Sequence, residues 1–195
     1  MNLTTTTLNQ IADITAGLHF RTGVSNDPTG NVALIQIKDI TRDFGLRMDS
    51  LTRVHFNHFE PYVVRQNDVL FVARGSRFGA VLIKEPLQNA IATGSFFVLR
   101  PRRDILPAFL RWAINSAPVQ SQLERAKQGS GLPMVPRREI ETLLLDVPPV
   151  ETQRAIVRLD QLKREEAQIM AQLLQKRAQF VDALTLELAR QDLKP

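Results

Sequence analysis

Neither glycine nor proline occurs between Val150 and Pro195, and this uninterrupted segment constrains the fold more than any other feature of the sequence. Its apolar side chains recur every three or four residues, as on one face of an α-helix: Ile156, Leu159, Leu162, Ile169, Met170, Leu173, Leu174, Phe180, Val181, Leu184 and Leu188. A helix of roughly 40 residues is about 60 Å long. The rest of the chain cannot cover an apolar stripe of that length, so the stripe requires a partner helix, as in a coiled coil.

The predicted contact seam of this helix is a subset of the stripe, namely Leu162, Ile169, Leu173, Phe180 and Leu184. Glu166 and either Lys176 or Arg177 interrupt the stripe. Polar residues at such positions set the register of a coiled coil or mark exposed gaps in it. The alternative is a terminal helix that folds back onto its own domain.

Residues 1–149 show a different pattern, in which short apolar runs alternate with turn residues. This pattern predicts strands at residues 8–14, 32–37, 69–74, 80–84, 95–99 and 143–147. Pro107 and Ser116 are predicted to start two helices, because proline suits the first helical turn and serine caps it. We therefore expect an α+β fold, with a strand-rich domain over residues 1–149 and one long helix over residues 150–195.

The composition excludes several classes of function. The chain has no cysteine, and its three histidines, His19, His55 and His58, have no accompanying cluster of acids, so we expect no metal site. No P-loop, GxGxxG, GxSxG or EF-hand pattern occurs, and no acids form a pair suited to catalysis. The start MNLTTTTLNQ is unlike a signal peptide, and no apolar run approaches the ~20 residues of a membrane span. We expect a soluble, cytoplasmic protein without a catalytic site of its own.

The charge distribution indicates an anionic partner. The net charge is +5, and 19 arginines outnumber 6 lysines. The planar guanidinium of arginine forms paired hydrogen bonds to phosphates and guanine edges better than the lysine ammonium does. Between Val69 and Arg103 the only acid is Glu85, whereas six basic residues occur there: Arg74, Arg77, Lys84, Arg100, Arg102 and Arg103. The stretch is typical of a surface that binds a polyanion, although a solvated face of arginines would have the same composition.

Several stretches follow one another in a characteristic order: IADITAGLHFR, NDVLFVARGSRFGAVLI, ATGSFFVLRP, and a segment from PAFLRWAINS to the joint VPPVETQRAIV. In this order and spacing the chain resembles the specificity (S) subunit of type I restriction–modification systems. The resemblance covers nearly the whole chain, and the joint into the long helix is its strongest part. One departure is Gln66-Asn67-Asp68, where the family usually has Gly-Asp before the apolar strand. We interpret it as a turn variant.

Family members typically carry two target-recognition domains, each followed by a long helix, and their helices pack antiparallel. This sequence shows no internal repeat, so it corresponds to one such domain and one helix. The resemblance implies either that two copies pair through the helix as an antiparallel coiled coil, or that the chain is a fragment. A symmetric dimer would recognise the same half-site twice in opposite orientation, which predicts an interrupted palindrome as its target.

The resemblance also implies a non-catalytic role. The domain would recognise double-stranded DNA, and the helical region would dock a separate methyltransferase subunit that holds S-adenosylmethionine. A translocating restriction subunit is a further candidate partner. The competing hypothesis is a protein–protein adaptor or decoy with the same fold that has lost sequence-specific DNA binding.

The resemblance implies that the turn GSRFG faces DNA, with Arg74, Ser76 and Arg77 at the end of a hairpin. Gly75 and Gly79 would allow the backbone to approach the DNA closely, as at phosphate-binding turns. One arginine would fork onto a guanine and the other would contact a phosphate. An ordinary turn with incidental arginines is the alternative, and Phe78 is expected in the core. Further candidates lie in three other loops: Arg21, Arg42, Arg47, Lys127, Gln128 and Ser130.

Overall fold

The structure is a computed structural model that describes residues 4–20, 23–49, 51–128 and 133–191. The chain forms two compact units, one ending at Arg154 and the other beginning at Ala155. The predicted α+β fold, a strand-rich domain followed by a long C-terminal helix, is confirmed. No helix among the described residues is long and apolar enough to cross a membrane.

The described residues contain nine strands and five α-helices. The strands are β1 (Thr4–Thr7), β2 (Ala12–Ala16), β3 (Val32–Ile35), β4 (Thr52–Val54), β5 (Val69–Val72), β6 (Gly79–Leu82), β7 (Ala90–Ala92), β8 (Phe96–Pro101) and β9 (Leu144–Val147). The helices are α1 (Leu8–Ile11), α2 (Pro107–Ile114), α3 (Ala117–Ala126), α4 (Arg137–Glu141) and α5 (Val150–Gln191). Two 3₁₀ turns, Ile37–Asp39 and Glu60–Tyr62, lie in the connections.

Two sheets form the centre of the domain. Four antiparallel strands pair in the order β2-β8-β5-β6, and three pair in the order β4-β3-β7, with β3 and β7 parallel. A separate antiparallel pair, β1 and β9, joins the start of the domain to the segment before α5. Strands β5 and β6 form the hairpin predicted for residues 69–74 and 80–84, with Val72 opposite Gly79 beside the turn.

The main core lies between the two larger sheets. Leu70 and Val72 of β5 pack in one buried cluster with Ile35 and Ala92 of the three-stranded sheet. Successive strand residues point to opposite faces, and every residue of β5 is buried, so both faces of this strand are covered. Such two-sided burial explains why the strand is continuously apolar in sequence.

The residue that follows helix α2, Asn115, covers one edge of the four-stranded sheet. The Asn115 amide donates to the carbonyl of Ala80 and accepts from the Ala80 N–H, both at 2.8 Å. This side chain satisfies the outer hydrogen-bonding groups of β6 as a neighbouring strand would. Four apolar side chains of α2 are buried beneath it: Phe109, Leu110, Ala113 and Ile114.

Two predicted details are wrong. The expected strand over residues 8–14 is interrupted by the single helical turn α1, whose start is stabilised by a hydrogen bond from the Thr7 N–H to Gln10 Oε1 at 3.3 Å. The strand expected over residues 32–37 ends at Ile35, since the 3₁₀ turn begins two residues later. Asp39 accepts a hydrogen bond from the Gln36 N–H at 2.8 Å and thereby stabilises that turn.

Helix α5 begins in the first unit, where Gln153 fixes its first turn. The Gln153 side chain is 1% exposed. Its Nε2 donates to the carbonyls of Asp104 (3.0 Å) and Pro148 (2.9 Å), and its Oε1 accepts from the Leu106 N–H (2.9 Å). These hydrogen bonds explain why the joint that carries the family resemblance contains a glutamine at this position.

Candidate nucleic-acid interface

The turn between β5 and β6 is held against a second loop by its backbone. Backbone hydrogen bonds of 2.9 Å join residues 73–75 to residues 133–135 in two places. Met134 forms antiparallel bridges with both Arg74 and Gln128, and exchanges two backbone hydrogen bonds with Gln128 at 2.8 and 2.9 Å. Arg74 and Gln128, two predicted DNA-facing residues from separate loops, therefore pair with the same residue, Met134.

The same turn also holds the loop of residues 41–47. The Arg77 guanidinium donates a hydrogen bond to the Arg42 carbonyl and lies 5.6 Å from the centre of the Phe44 ring. The ring packs directly on Gly79, where a Cβ atom would come within 2.3 Å of it. Gly79 therefore allows close approach of an aromatic ring, and Arg77 positions a loop whose Arg42 side chain is exposed.

The remaining predicted residues of this region are exposed at its periphery. Ser76 is exposed at the tip of the turn. Arg47 Nη2 donates to the Lys38 carbonyl at 2.9 Å, and Lys127 pairs with Glu124 at 2.5 Å. Exposed pairs of this kind contribute only about 0–1 kcal/mol, so the Lys127 pair opens at little cost. Arg21 and Ser130 lie outside the described residues.

An open cleft of about 450 Å³ lies beside Arg74. Its polar lining residues are Arg74 and four residues from three other segments: His19, Gln36, Thr93 and Ser95. Apolar side chains, including Leu18 and Ile37, complete the walls. Sequence reasoning missed this cleft, because its residues lie far apart in the chain and are brought together by the pairing of β3, β7 and the segment after β2.

Two close approaches at glycines shape the cleft. A Cβ atom on Gly17 would lie 2.2 Å from the Thr93 carbonyl oxygen, and one on Gly94 would lie 2.3 Å from the His19 Nδ1. The Gly94 N–H donates to the Leu18 carbonyl at 2.8 Å. The His19 ring thus rests directly on the Gly94 backbone. The sequence signal for this contact is the pair of glycines in TAGLHF and IATGSF, both of which lie in stretches that carry the family resemblance.

Two other arginines of the basic stretch are engaged in ion pairs. Arg100 donates to both carboxylate oxygens of Asp68 at 2.8 Å, and the Asp68 side chain is only 2% exposed. The hydrogen bonds to Asp68 raise the pKa of Arg100 above its usual value. Arg102 pairs with Asp13 at 3.0 Å on the surface. Both acids lie outside residues 69–103, so the stretch is less basic in the fold than in the sequence.

Helix α5 displays its apolar stripe to solvent. The predicted seam residues Leu162, Ile169, Leu173, Phe180 and Leu184 are 43%, 63%, 60%, 64% and 43% exposed, respectively. Six neighbours on the helix are similarly exposed: Leu159, Met170, Leu174, Val181, Leu186 and Leu188. Contiguous apolar surface of this kind marks an interaction site in soluble proteins.

A strand-rich domain with converging basic and polar loops, followed by a long helix with an exposed apolar face, defines a recognition module with a helical extension. The chain belongs to the type I restriction modification DNA specificity domain family, whose model matches residues 2–176. This family supplies the non-catalytic DNA-recognition subunit of type I restriction–modification systems. The resemblance and the non-enzymatic character predicted from the sequence are thereby confirmed.

Solved structures share the fold. The type I S subunit from M. genitalium superposes with a TM-score of 0.60 at 16% identity, and the match covers 89% of this chain and 42% of that one. The HsdS subunit from Thermoanaerobacter tengcongensis superposes with a TM-score of 0.58 at 18% identity, and the match covers 85% of this chain and 38% of that one. A chain from a structural study of type I R-M complex assembly and conformational transition superposes with a TM-score of 0.64 at 19% identity. That match covers 86% of this chain and 40% of the other. The chain thus spans about two fifths of their length. No curated protein matches it significantly.

Proposed function

We propose that this chain is the DNA sequence-recognition component of a type I restriction–modification methyltransferase complex. The observation that carries the proposal is the convergence of the 41–47, 74–78 and 127–128 segments, which join through Arg77 and Met134. Arginine, lysine, glutamine and serine side chains, which donate hydrogen bonds to phosphates and base edges, are thereby concentrated on one set of loops. Such a component acts on double-stranded DNA in the cytoplasm.

The apolar face of α5 supports pairing of two copies. Its seam repeats over the second unit, and leaving such a surface in water costs free energy that a partner helix recovers. An antiparallel pairing of two identical helices gives a two-fold symmetric dimer. The dimer would hold two identical recognition domains and bind an interrupted palindrome.

The expected protein partners follow from the family. The type I R-M relatives are subunits of larger assemblies, so we propose that the helical region docks a methyltransferase subunit carrying S-adenosylmethionine. A restriction subunit is the further expected partner. No cofactor is expected on this chain.

DNA binding is tested by measuring affinity as a function of salt, with and without the methyltransferase encoded beside this chain. Several phosphate contacts give a steep fall in affinity with salt, with a slope of about −0.9 per contact. We expect Arg74→Ala combined with Arg77→Ala to weaken binding while the protein stays folded and dimeric. Arg65→Ala is the matched control, since Arg65 is exposed before β5 whereas Arg74 follows it. Salt-insensitive binding, or none with the methyltransferase present, would favour the adaptor.

Dimerisation is tested by light scattering on the purified chain. Leu173→Glu combined with Phe180→Glu places charges in the seam and is expected to yield a monomer. Gln175→Glu, on the same helix but outside the apolar stripe, controls for added charge. A dimer that survives the double substitution would move the interface away from α5.

A further inference from the structure

We infer that the cleft beside Arg74 recognises a guanine edge of the target DNA, with Arg74 and His19 as the side chains that determine the base. This inference rests on the proposed function and specifies which part of the surface distinguishes sequence. It assigns a role to His19 and Ser95, neither of which is among the DNA-facing residues expected from the sequence.

The first support is the state of Arg74. Its side chain is half-buried, and its backbone is fixed by the bridge to Met134. Within the described part of the chain, its guanidinium has neither an acidic partner nor a hydrogen-bond acceptor. Arg77 and Arg100, by contrast, are bound to a carbonyl and to a carboxylate. An arginine on a fixed backbone, with open guanidinium donors, is suited to bond the O6 and N7 atoms of guanine.

The second support is the placement of His19. One face of the ring packs against the Gly94 backbone, while the side chain remains exposed. No hydrogen bond occupies either ring nitrogen among the residues that the structure describes. The imidazole offers one donor and one acceptor, and so does the hydroxyl of Ser95, another residue that lines the cleft. These groups complement the cytosine amino group or the neighbouring base across from the Arg74 fork.

The third support is the form of the cleft. It is open to solvent and has about 450 Å³ of space, with apolar walls from Leu18 and Ile37. A base edge can therefore enter while the duplex stays stacked. Arg42 and Lys127, exposed at the periphery, are suited to the flanking phosphates. The arrangement separates base contacts at the centre from phosphate contacts at the rim.

The experiment is selection of bound sequences from a random duplex pool, using the full chain together with its methyltransferase. We compare the natural chain with His19→Ala, Arg74→Ala, Arg74→Lys and the control Arg65→Ala. His19→Ala and Arg74→Ala are expected to reduce discrimination at one guanine-containing position by about 5- to 150-fold. The remaining positions of the motif and the Arg65→Ala motif stay unchanged.

Gly94→Ala provides a second, independent variant. The added methyl group meets the His19 ring, which can turn away because it is exposed, so the fold is retained and only the ring moves. Gly94→Ala is therefore expected to relax the same position as His19→Ala. Circular dichroism and thermal unfolding of each variant establish that the domain is folded.

Three outcomes separate the inference from the function on which it rests. Loss of preference at one shared position in the His19 and Arg74 variants supports both. If Arg74→Ala leaves the selected motif unchanged, weakens binding to every sequence and lowers the salt slope by about 1, then Arg74 contacts a phosphate. This outcome overturns the inference but not the proposed function. A natural chain that selects no motif with the methyltransferase present overturns the proposed function, and the base-recognising cleft with it.

Discussion

Replacing Gln153 tests how the long helix is attached to the domain. Its amide satisfies the Leu106 N–H and the carbonyls of Asp104 and Pro148 at 2.9–3.0 Å. Gln153→Ala leaves these three groups without that partner, and a buried group left unpaired costs about 1–3 kcal/mol. Asp104 is exposed, so its carbonyl can bind water instead. We expect the free energy of unfolding to fall by about 3 kcal/mol.

Gln153→Glu retains the shape of the side chain and separates hydrogen bonding from packing. A carboxylate oxygen then faces the carbonyls of Asp104 and Pro148, so burial and repulsion disfavour the charged form. The pKa of the introduced carboxyl is therefore raised above its unfolded value of about 4.3. The variant is most stable below that pH and loses stability as the pH rises through the folded pKa. At neutral pH we expect it to be at least as destabilised as Gln153→Ala.

Urea unfolding followed by circular dichroism, at neutral pH and at about pH 4, measures these differences. Gln161 is the matched control, because it is exposed on the same helix and donates to the exposed side chain of Glu165, at 2.7 Å. Gln161→Ala is expected to change the free energy of unfolding by less than about 0.5 kcal/mol. The hydrogen-bond argument is refuted if Gln153→Glu is more stable than Gln153→Ala at neutral pH, or if their difference is independent of pH.

Three further perturbations test local features of the domain. Arg100→Ala should destabilise the domain more than Asp68→Ala does, as measured by urea unfolding. The Asp68 side chain is 2% exposed and the Arg100 side chain 43%, so water can solvate the arginine but not the aspartate when the partner is removed. Asn67 has a φ of 73°, which alanine adopts less readily than asparagine or glycine. Asn67→Ala should therefore lower the free energy of unfolding by about 1 kcal/mol and Asn67→Gly should leave it unchanged. Equal thermal stability of the two variants would contradict this. Hydrogen bonds from Thr29 lower the pKa of Asp27. The lowered pKa stabilises the folded protein at pH values above the ordinary carboxyl pKa, and this stabilisation is lost as the pH falls through the pKa of the folded state. Thr29→Ala should therefore raise the pKa of Asp27 in an NMR titration, whereas an unchanged value would exclude Thr29 as the cause.

Much of the fold was predictable because its apolar periodicity is strong. Helix α5 carries the 3.6-residue period of a helix over many turns, and β5 and β6 are short apolar runs that flank the turn GSRFG. The turn variant at Asn67 also has a simple explanation, since asparagine is the side chain that best tolerates the left-handed conformation that glycine adopts.

The short strands β4 and β7 were not predictable on the same basis. Each has three residues, and their pairing with β3 depends on contacts distant in the sequence. Helix α4 has only five residues and carries two adjacent arginines, so its periodicity is too brief to recognise. These elements exist because tertiary pairing stabilises segments whose local pattern is weak.

The basic stretch shows why charge in sequence is a poor guide to DNA contacts. Arg100 and Arg102 are matched by acids from distant segments, and Arg77 holds a neighbouring loop. Arg74 occupies the same turn as Arg77, yet it lines a cleft together with His19. Removing each arginine in turn would therefore perturb stability, loop position or base preference through different causes. Affinity alone would not distinguish these causes, whereas the selected motif and the unfolding free energy, measured on the same variants, would.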